Sequence, residues 1–400
     1  MGLFSRRKKP TTPDAPVVSG DDTATSRADA ADDFDRVVRQ LLVQMSPAGT
    51  ELIESGHDMV TTGDDETYLG NLRAGWLARP QGEREVWLRN AIHGLKLSEL
   101  RDTSELDLSM LRPGIRSQFS VHLPELMAAQ RNPGALTDGG SRLAMAPMAG
   151  GMVRVLIWDT PTTMSLINQA QLADWGADFE TLWNVAVHNL AADPFTEGWA
   201  AANQTCWTPL HTDDYSAERI FIDGFVDQTR VPGDFVMFHP TRNAVFLADA
   251  TDPDGIATAA KLALEHVAQP NPVCLTPIVG RDMAWRPLEL HASHPAAPLV
   301  DQLNATEHSR TYGNQQSILQ DVLGEDVFVA SYKAYQTPDG ITSIAAWTEG
   351  ALALLPRTSS ISFVTQSAEV LLVDWDAAAS IVGARLESTD HYPERWRVAT

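Results

Sequence analysis

A β-branched run, Val153–Trp158, precedes an apolar-periodic stretch, Ile167–Leu190, that is broken by Trp175-Gly176. This order constrains the fold more than any other feature. A short run rich in Val and Ile reads as a buried strand. Leu172, Trp175, Phe179, Leu182 and Ala186 then fall at helical spacing. Gly176 predicts the end of a first helix, since glycine takes the left-handed conformation at no steric cost. Asp178 predicts the N-cap of a second. A strand that buries its side chains beside two amphipathic helices calls for sheets with helices packed on them, an α+β architecture.

The chain has 400 residues, more than one compact core usually holds. Its texture predicts a disordered tail over 1–31, rich in Pro, Thr, Ser, Asp and Ala, then an α+β region over 32–295. A Pro/Gly-rich connection at 132–140 marks a sub-boundary near 132–150. Alternating apolar segments on either side of Thr337-Pro-Asp-Gly340 predict a C-terminal α+β domain over 300–400. Asp32 or Asp33 predicts a helix start, with Phe34, Val37, Val38, Leu41 and Leu42 on its buried side. That helix frays at Pro47 or resumes through Leu52 and Ile53. Thr67–Leu72 reads as extended, and Pro80 opens a helix with Glu83 and Glu85 in its first turn.

Ile220–Phe225, Asp234–Phe238 and Ala244–Ala248 read as strands, the last two joined as a hairpin through His239–Asn243. Asp252 opens a further helix. In the C-terminal region Val327–Tyr335, Ile341–Trp347, Ala351–Leu355, Ile361–Val364 and Val370–Trp375 read as strands, and Asp376 caps a short helix. Leu354–Phe363 faintly echoes Met237–Phe246, which raises the idea of a duplicated unit.

Several segments resemble the YtpQ-like bacterial family, a family with no assigned chemistry. They are Leu69-Gly-Asn-Leu72 with Pro80 and Glu83-Arg-Glu85, Met148–Asp159, Leu172–Leu190, Asp214-Tyr-Ser-Ala-Glu-Arg219, and Pro240-Thr-Arg242. The resemblance covers roughly 32–290. It implies an α+β fold and a cytoplasmic bacterial protein, and it carries no catalytic residues. The start and the last hundred residues fall outside it.

The net charge of −22 speaks against a nucleic-acid partner. The start, Met1–Pro10, holds Arg6, Arg7, Lys8 and Lys9 without an apolar segment behind them, unlike a secretory signal. Weak contact of that basic start with a membrane surface is the less favoured reading, and no run is long enough for a transmembrane span. Cys206 and Cys274 form no Cys-x-x-Cys and read as buried free thiols of a cytoplasmic protein.

Phosphate-binding glycine loops, a Ser nucleophile elbow and a His-Glu-x-x-His helix are all missing from the sequence. His291 and His294 sit between prolines and read as a surface loop. His211 with Asp213 and Asp214 offers one imidazole and two carboxylates, a commonplace turn composition. Asp252-Pro-Asp-Gly255 fails as a calcium loop because Ala250 and Lys261 occupy its end positions. No metal and no cofactor are expected. Arg219 and Arg242 remain as strand-junction arginines suited to Asp159 or Asp214, or to an anionic ligand. Tyr215 and Asn71 join them as polar groups inside the resembling segments.

The expectation is a non-catalytic module that binds a protein partner or a small ligand. The first alternative is a hydrolase or transferase acting on an anionic substrate through Arg219 and Arg242 with Asp213 or Asp214. The second is an immunity-type protein that neutralises a toxin, a kind of protein that is often acidic.

Overall fold

The computed structural model describes residues 20–45, 52–54, 59–62, 65–77, 79–99, 107–131, 143–160, 164–193, 198–210, 213–229, 231, 233–269, 271–281, 283–338 and 340–398. The fold is α+β. Two compact units divide at residue 100, Met1–Leu100 and Arg101–Thr400.

The first unit holds α1 (Gly20–Met45), β1 (Leu52–Glu54), β2 (Met59–Thr62), β3 (Asp65–Tyr68), α2 (Leu69–Leu77) and α3 (Gln81–Glu99). Helix α1 begins at Gly20, ahead of the expected Asp32 or Asp33. Its Phe34, Val38 and Leu42 are buried with Trp76 of α2 and Leu88 and Ile92 of α3. Leu52 and Ile53 form a strand rather than a resumed helix, and Leu69–Leu72 are helical rather than extended. The three strands pair antiparallel in chain order. Close packing of α2 on α3 requires Gly75, where an added Cβ would lie 2.3 Å from the Trp87 ring.

The second unit opens with β4 (Leu111–Ser117), α4 (Gln118–Arg131), β5 (Met145–Pro147), β6 (Met152–Asp159), β7 (Met164–Leu166), α5 (Gln169–Asp174) and α6 (Phe179–Ala191). The anticipated helix pair is present: Gly176 has φ +61° and the Asp178 side chain accepts from the Thr181 N–H. Strand β6 is central, paired antiparallel with β4, β5 and β7. One face of this sheet meets α6, through Leu156 and Trp158 against Leu182, Trp183 and Ala186. Farther along the strands, Ile115 and Met152 pack on Met237, Val245 and Ile278 of a second sheet.

That second sheet comprises β8 (Trp199–Ala201), β9 (Cys206–Pro209), β10 (Phe235–Thr241), β11 (Ala244–Asp249), β12 (Pro272–Gly280) and β13 (Arg286–Pro287). Its order is β13-β12-β10-β11-β9-β8. Helices α7 (Pro253–Glu265) and α8 (Ala297–Leu323) cover its other face, with Ile256, Ala260, Val300 and Leu303 against Val236, Phe238 and Phe246. Ile220–Phe225 is not a strand. Glu218–Phe221 is a 3₁₀ turn, and Asp223-Gly224, with Gly224 at φ +73°, reverses the chain after it.

The C-terminal third contains β14 (Phe328–Val329), β15 (Lys333–Thr337), β16 (Gly340–Thr348), β17 (Ala353–Pro356), β18 (Ser360–Val364), β19 (Val370–Asp374), α9 (Trp375–Val382), β20 (Leu386–Ser388) and β21 (Arg395–Val398). Two four-stranded sheets, β14-β17-β21-β20 and β15-β16-β18-β19, enclose Ala345, Leu355, Ile361, Trp375 and Val398. Asp374, not Asp376, caps α9, accepting from the N–H groups of Asp376 and Ala377. The echoed segments do not repeat a unit: β10 and β11 form one hairpin, whereas β17 and β18 lie in different sheets. The expected boundary at 295–300 does not separate compact units either, because α8 runs through it and packs on both sides.

Arg395 shows how that join is made. It is fully buried, and its guanidinium donates to the Ala330, Leu354 and Tyr312 carbonyls and to the Gln315 side chain. Burial pulls its pKa down to about 10, so it stays charged at neutral pH. Arg395→Ala removes four buried donated hydrogen bonds and is expected to destabilise the unit by roughly 3–5 kcal/mol, as loss of a buried charged donor does. Denaturant unfolding of the two proteins measures this, and a loss below about 1 kcal/mol would remove Arg395 as the clamp.

Candidate functional site

Alternation along β4 and β6 builds a polar face in the second unit. Arg112 pairs with Ile157, Gly114 with Val155 and Arg116 with Val153, so these side chains share one face, as does Asp159. Tyr215 packs against Val153, Val155 and Ile157 there, and its hydroxyl donates to Asp159 Oδ2 at 2.9 Å. Burial raises the Asp159 carboxyl above its usual pKa, against the opposing hydrogen bond from Tyr215. Burial also pushes the Tyr215 phenol far up, so it acts as a neutral donor.

The turn before the 3₁₀ segment fixes Arg219. Asp213 Oδ1 accepts the Tyr215 N–H at 3.0 Å, and its two oxygens receive the Arg219 fork at 2.6 Å each. Burial opposes the charge on Asp213, but the fork outweighs it and holds the carboxyl below its usual value. Arg219 thus pairs with Asp213, not with Asp159 or Asp214. Asp214 is exposed.

Glu218 points the other way. It is 1% exposed, and its Oε1 accepts the Ile115 N–H at 2.8 Å and lies 3.4 Å from Arg116 Nη1. Strand β4 is an edge strand, so this carboxylate satisfies a backbone donor that the ladder leaves unpaired. Burial raises the Glu218 pKa against the pull of Arg116. His239, on β10, is 1% exposed, and its Nδ1 donates to the Ala244 carbonyl at 3.0 Å. Burial lowers its pKa to about 4, so the ring is neutral with Nε2 as its acceptor. Arg242 occupies the two-residue turn between β10 and β11, half-buried, with its backbone N–H on the Asn271 carbonyl. Arg116 sits within electrostatic reach of Arg242, Glu218, Tyr215 and Asp214.

Arg242, Tyr215, Asp159 and Asp214 therefore belong to one polar neighbourhood, together with Arg116, Glu218 and His239, which the sequence reading had missed. Arg116 carried a faint signal as a charge in the otherwise apolar Leu111–Ser117 run. Asn71 lies in α2 of the first unit, and its side chain is outside the described residues. His211 is also outside them. Among the described residues no group of three His, Cys, Asp or Glu side chains is placed to hold a metal ion. Both cysteines are buried and free; burial pushes the Cys206 thiol up to about 12 and raises Cys274 as well. Neither supplies a thiolate at neutral pH.

A second feature lies on the C-terminal sheet. A groove of about 330 Å³ runs over the outer face of β15-β16-β18-β19, lined by Lys333, Tyr335, Ile344, Ala346, Val370 and Leu372. Val370 and Leu372 are each 64% exposed, Leu371 is 50% exposed, and β19 is an edge strand of its sheet. Among the described residues no helix is long and apolar enough to cross a membrane.

No family model, curated protein or solved structure matches the chain.

The Asp213–Arg219 fork sets a pH dependence. A carboxyl held below its unfolded pKa contributes stability that is complete above about pH 4 and is lost as pH falls through the folded value. Asp213→Asn is expected to lower stability at pH 7 yet to flatten its decline below about pH 4. Unfolding measured across that range checks this, and parallel curves for the two proteins would show that the fork adds no charge-dependent stability.

Proposed function

We propose that the protein is a non-catalytic binding module that takes an extended segment of a partner protein along the edge of its C-terminal sheet. The observation that carries this reading is β19. It is an edge strand, its Val370, Leu371 and Leu372 stand in solvent, and its Val370 and Leu372 line the groove over the sheet face. Such an edge is a template for an added strand, with backbone bonds giving affinity and alternate side chains giving selectivity.

Charge argues for the kind of partner. The chain carries −22, and Glu369 and Asp374 bracket the strand. A second copy is repelled, whereas an apolar segment with basic flanks is attracted. The enzyme alternative is less well supported, since it needs Arg219 and Arg242 at one centre and Arg219 is held by Asp213. Two free thiols suit a reducing cytoplasm, in keeping with the compartment implied by the YtpQ-like resemblance.

The probe is a synthetic ten-residue peptide alternating valine with lysine, alongside the same peptide with proline at its centre. Fluorescence anisotropy is expected to show saturable binding of the first and loss of at least about tenfold in affinity for the second, since proline removes ladder donors. Leu372→Lys should weaken the first peptide by a similar factor without changing the melting temperature. Equal binding of both peptides, or full binding by the variant, would overturn the proposal.

A further inference from the structure

Arg242 is the second unexplained feature. Its guanidinium makes no hydrogen bond or ion pair among the described residues, although it is half-buried. The sequence has 52 acidic side chains against 30 basic ones, so carboxylates are in surplus. Arg116, 8% exposed, is also incompletely used. Only its Nη1 is engaged, with the Ile115 carbonyl at 2.8 Å and with Glu218 at a long 3.4 Å. Glu218 Oε2 is buried and has no partner among the described residues. Arg116 on β4, Arg242 on the β10–β11 turn and Glu218 on the 3₁₀ turn thus lie within electrostatic reach of one another, each with unmet hydrogen-bonding capacity: two cations, and one carboxylate oxygen.

A buried cation beside another cation is unfavourable unless an anion joins them. Glu218 cannot do this alone, because its Oε1 is committed to the Ile115 N–H. Asp214 is within reach of Arg116 but exposed, so water screens it. Tyr215 is committed to Asp159, and neutral His239 offers an acceptor rather than a charge. Guanidinium forks match the oxygens of a tetrahedral oxyanion, which accepts several N–H groups at once.

We propose that Arg116 and Arg242 bind a small phosphate-type oxyanion, and that Glu218 Oε2 shares one proton with it. The ligand class is inorganic phosphate or a small phosphate monoester, since these carry an ionisable proton near neutral pH. Sulfate has none to bring. It would leave Glu218 Oε2 either unpaired or repelling, so the site selects phosphate over sulfate. This site lies apart from the β19 edge and does not depend on the partner reading.

Calorimetric titration of the full chain at pH 7 tests the proposal with inorganic phosphate, sulfate and glycerol phosphate as probes. Saturable phosphate binding is expected, with sulfate weaker by at least about tenfold. Tighter binding of glycerol phosphate would assign the site to a monoester, and equal or weaker binding to phosphate itself. Arg242→Ala removes a side chain with no partner among the described residues, so it should abolish binding with an unchanged melting temperature, while Arg242→Lys should keep part of it. Glu218→Gln substitutes a fixed N–H donor for the shared proton and should bring sulfate up to the level of phosphate. Absence of saturable phosphate binding, or undiminished binding by Arg242→Ala, would overturn the site. Equal affinity of the unmodified chain for phosphate and sulfate would overturn the role of Glu218.

Discussion

Helix α8 is the constraint on which the second unit depends. It must satisfy two sheets at once, and it does so with polar groups. On one side Glu307, 5% exposed, accepts the Leu275 N–H of β12 and pairs with Arg310 at 2.7 Å. On the other, buried Tyr312 and Gln315 meet Arg395 of β21, whose guanidinium also lies 5.3 Å from the Tyr312 ring. The apolar start of the helix, with Val300 and Leu303, belongs to the core of the six-stranded sheet. A helix bonded in this way to both neighbours transmits the position of one sheet to the other. Buried polar contacts also demand specific geometry, which apolar contacts do not. This is why residues 101–400 form one compact unit although their texture changes near 300.

The same economy of charge runs through the polar face of β4 and β6. Burial is the first cause of the shift at Tyr215, Cys206, Cys274 and His239, and in each case it favours the neutral form. Reaction centres usually set a charged partner against burial to bring a pKa near neutrality. Here the charged partners are used elsewhere. Asp213 holds Arg219, Glu218 serves the edge of β4, and on the opposite face Arg154 is stacked on Phe179 and Trp183 and paired with Glu180. Arg242 stands out against that background because nothing comparable holds it.

Sequence patterning disclosed the elements whose buried face is apolar. Val153–Trp158, the helix pair around Gly176, the β10–β11 hairpin and α7 follow alternation or helical spacing, and their caps are the expected Asp178 and Asp252. Helix α8 escaped because its buried positions include Glu307, Thr311 and Gln315, which break the apolar period. Ile220–Phe225 misled for the converse reason: Ile220 and Phe225 are buried, but in turns rather than on a sheet. The candidate site was partly visible. Arg242, Tyr215 and Asp159 could be picked out as polar residues at junctions, whereas the pairing of Arg219 with Asp213, six residues away, was one choice among several carboxylates. Glu218 and Arg116 are 102 positions apart, and only the fold brings them together.

The surface of the C-terminal sheet completes the picture from the side of solubility. An edge strand reading Val-Leu-Leu-Val, with three exposed apolar side chains, is the kind of segment that pairs indiscriminately unless it is guarded. Flanking acidic residues, Glu369 and Asp374, and the net charge of −22 act against pairing of like copies. Charge of that sign opposes pairing between like copies and does not oppose a basic segment. A purely structural edge gains nothing from apolar residues in water, since lysine or proline would protect it better. The combination of an open apolar strand with acidic guards is what the proposed selectivity for a segment of opposite charge calls for.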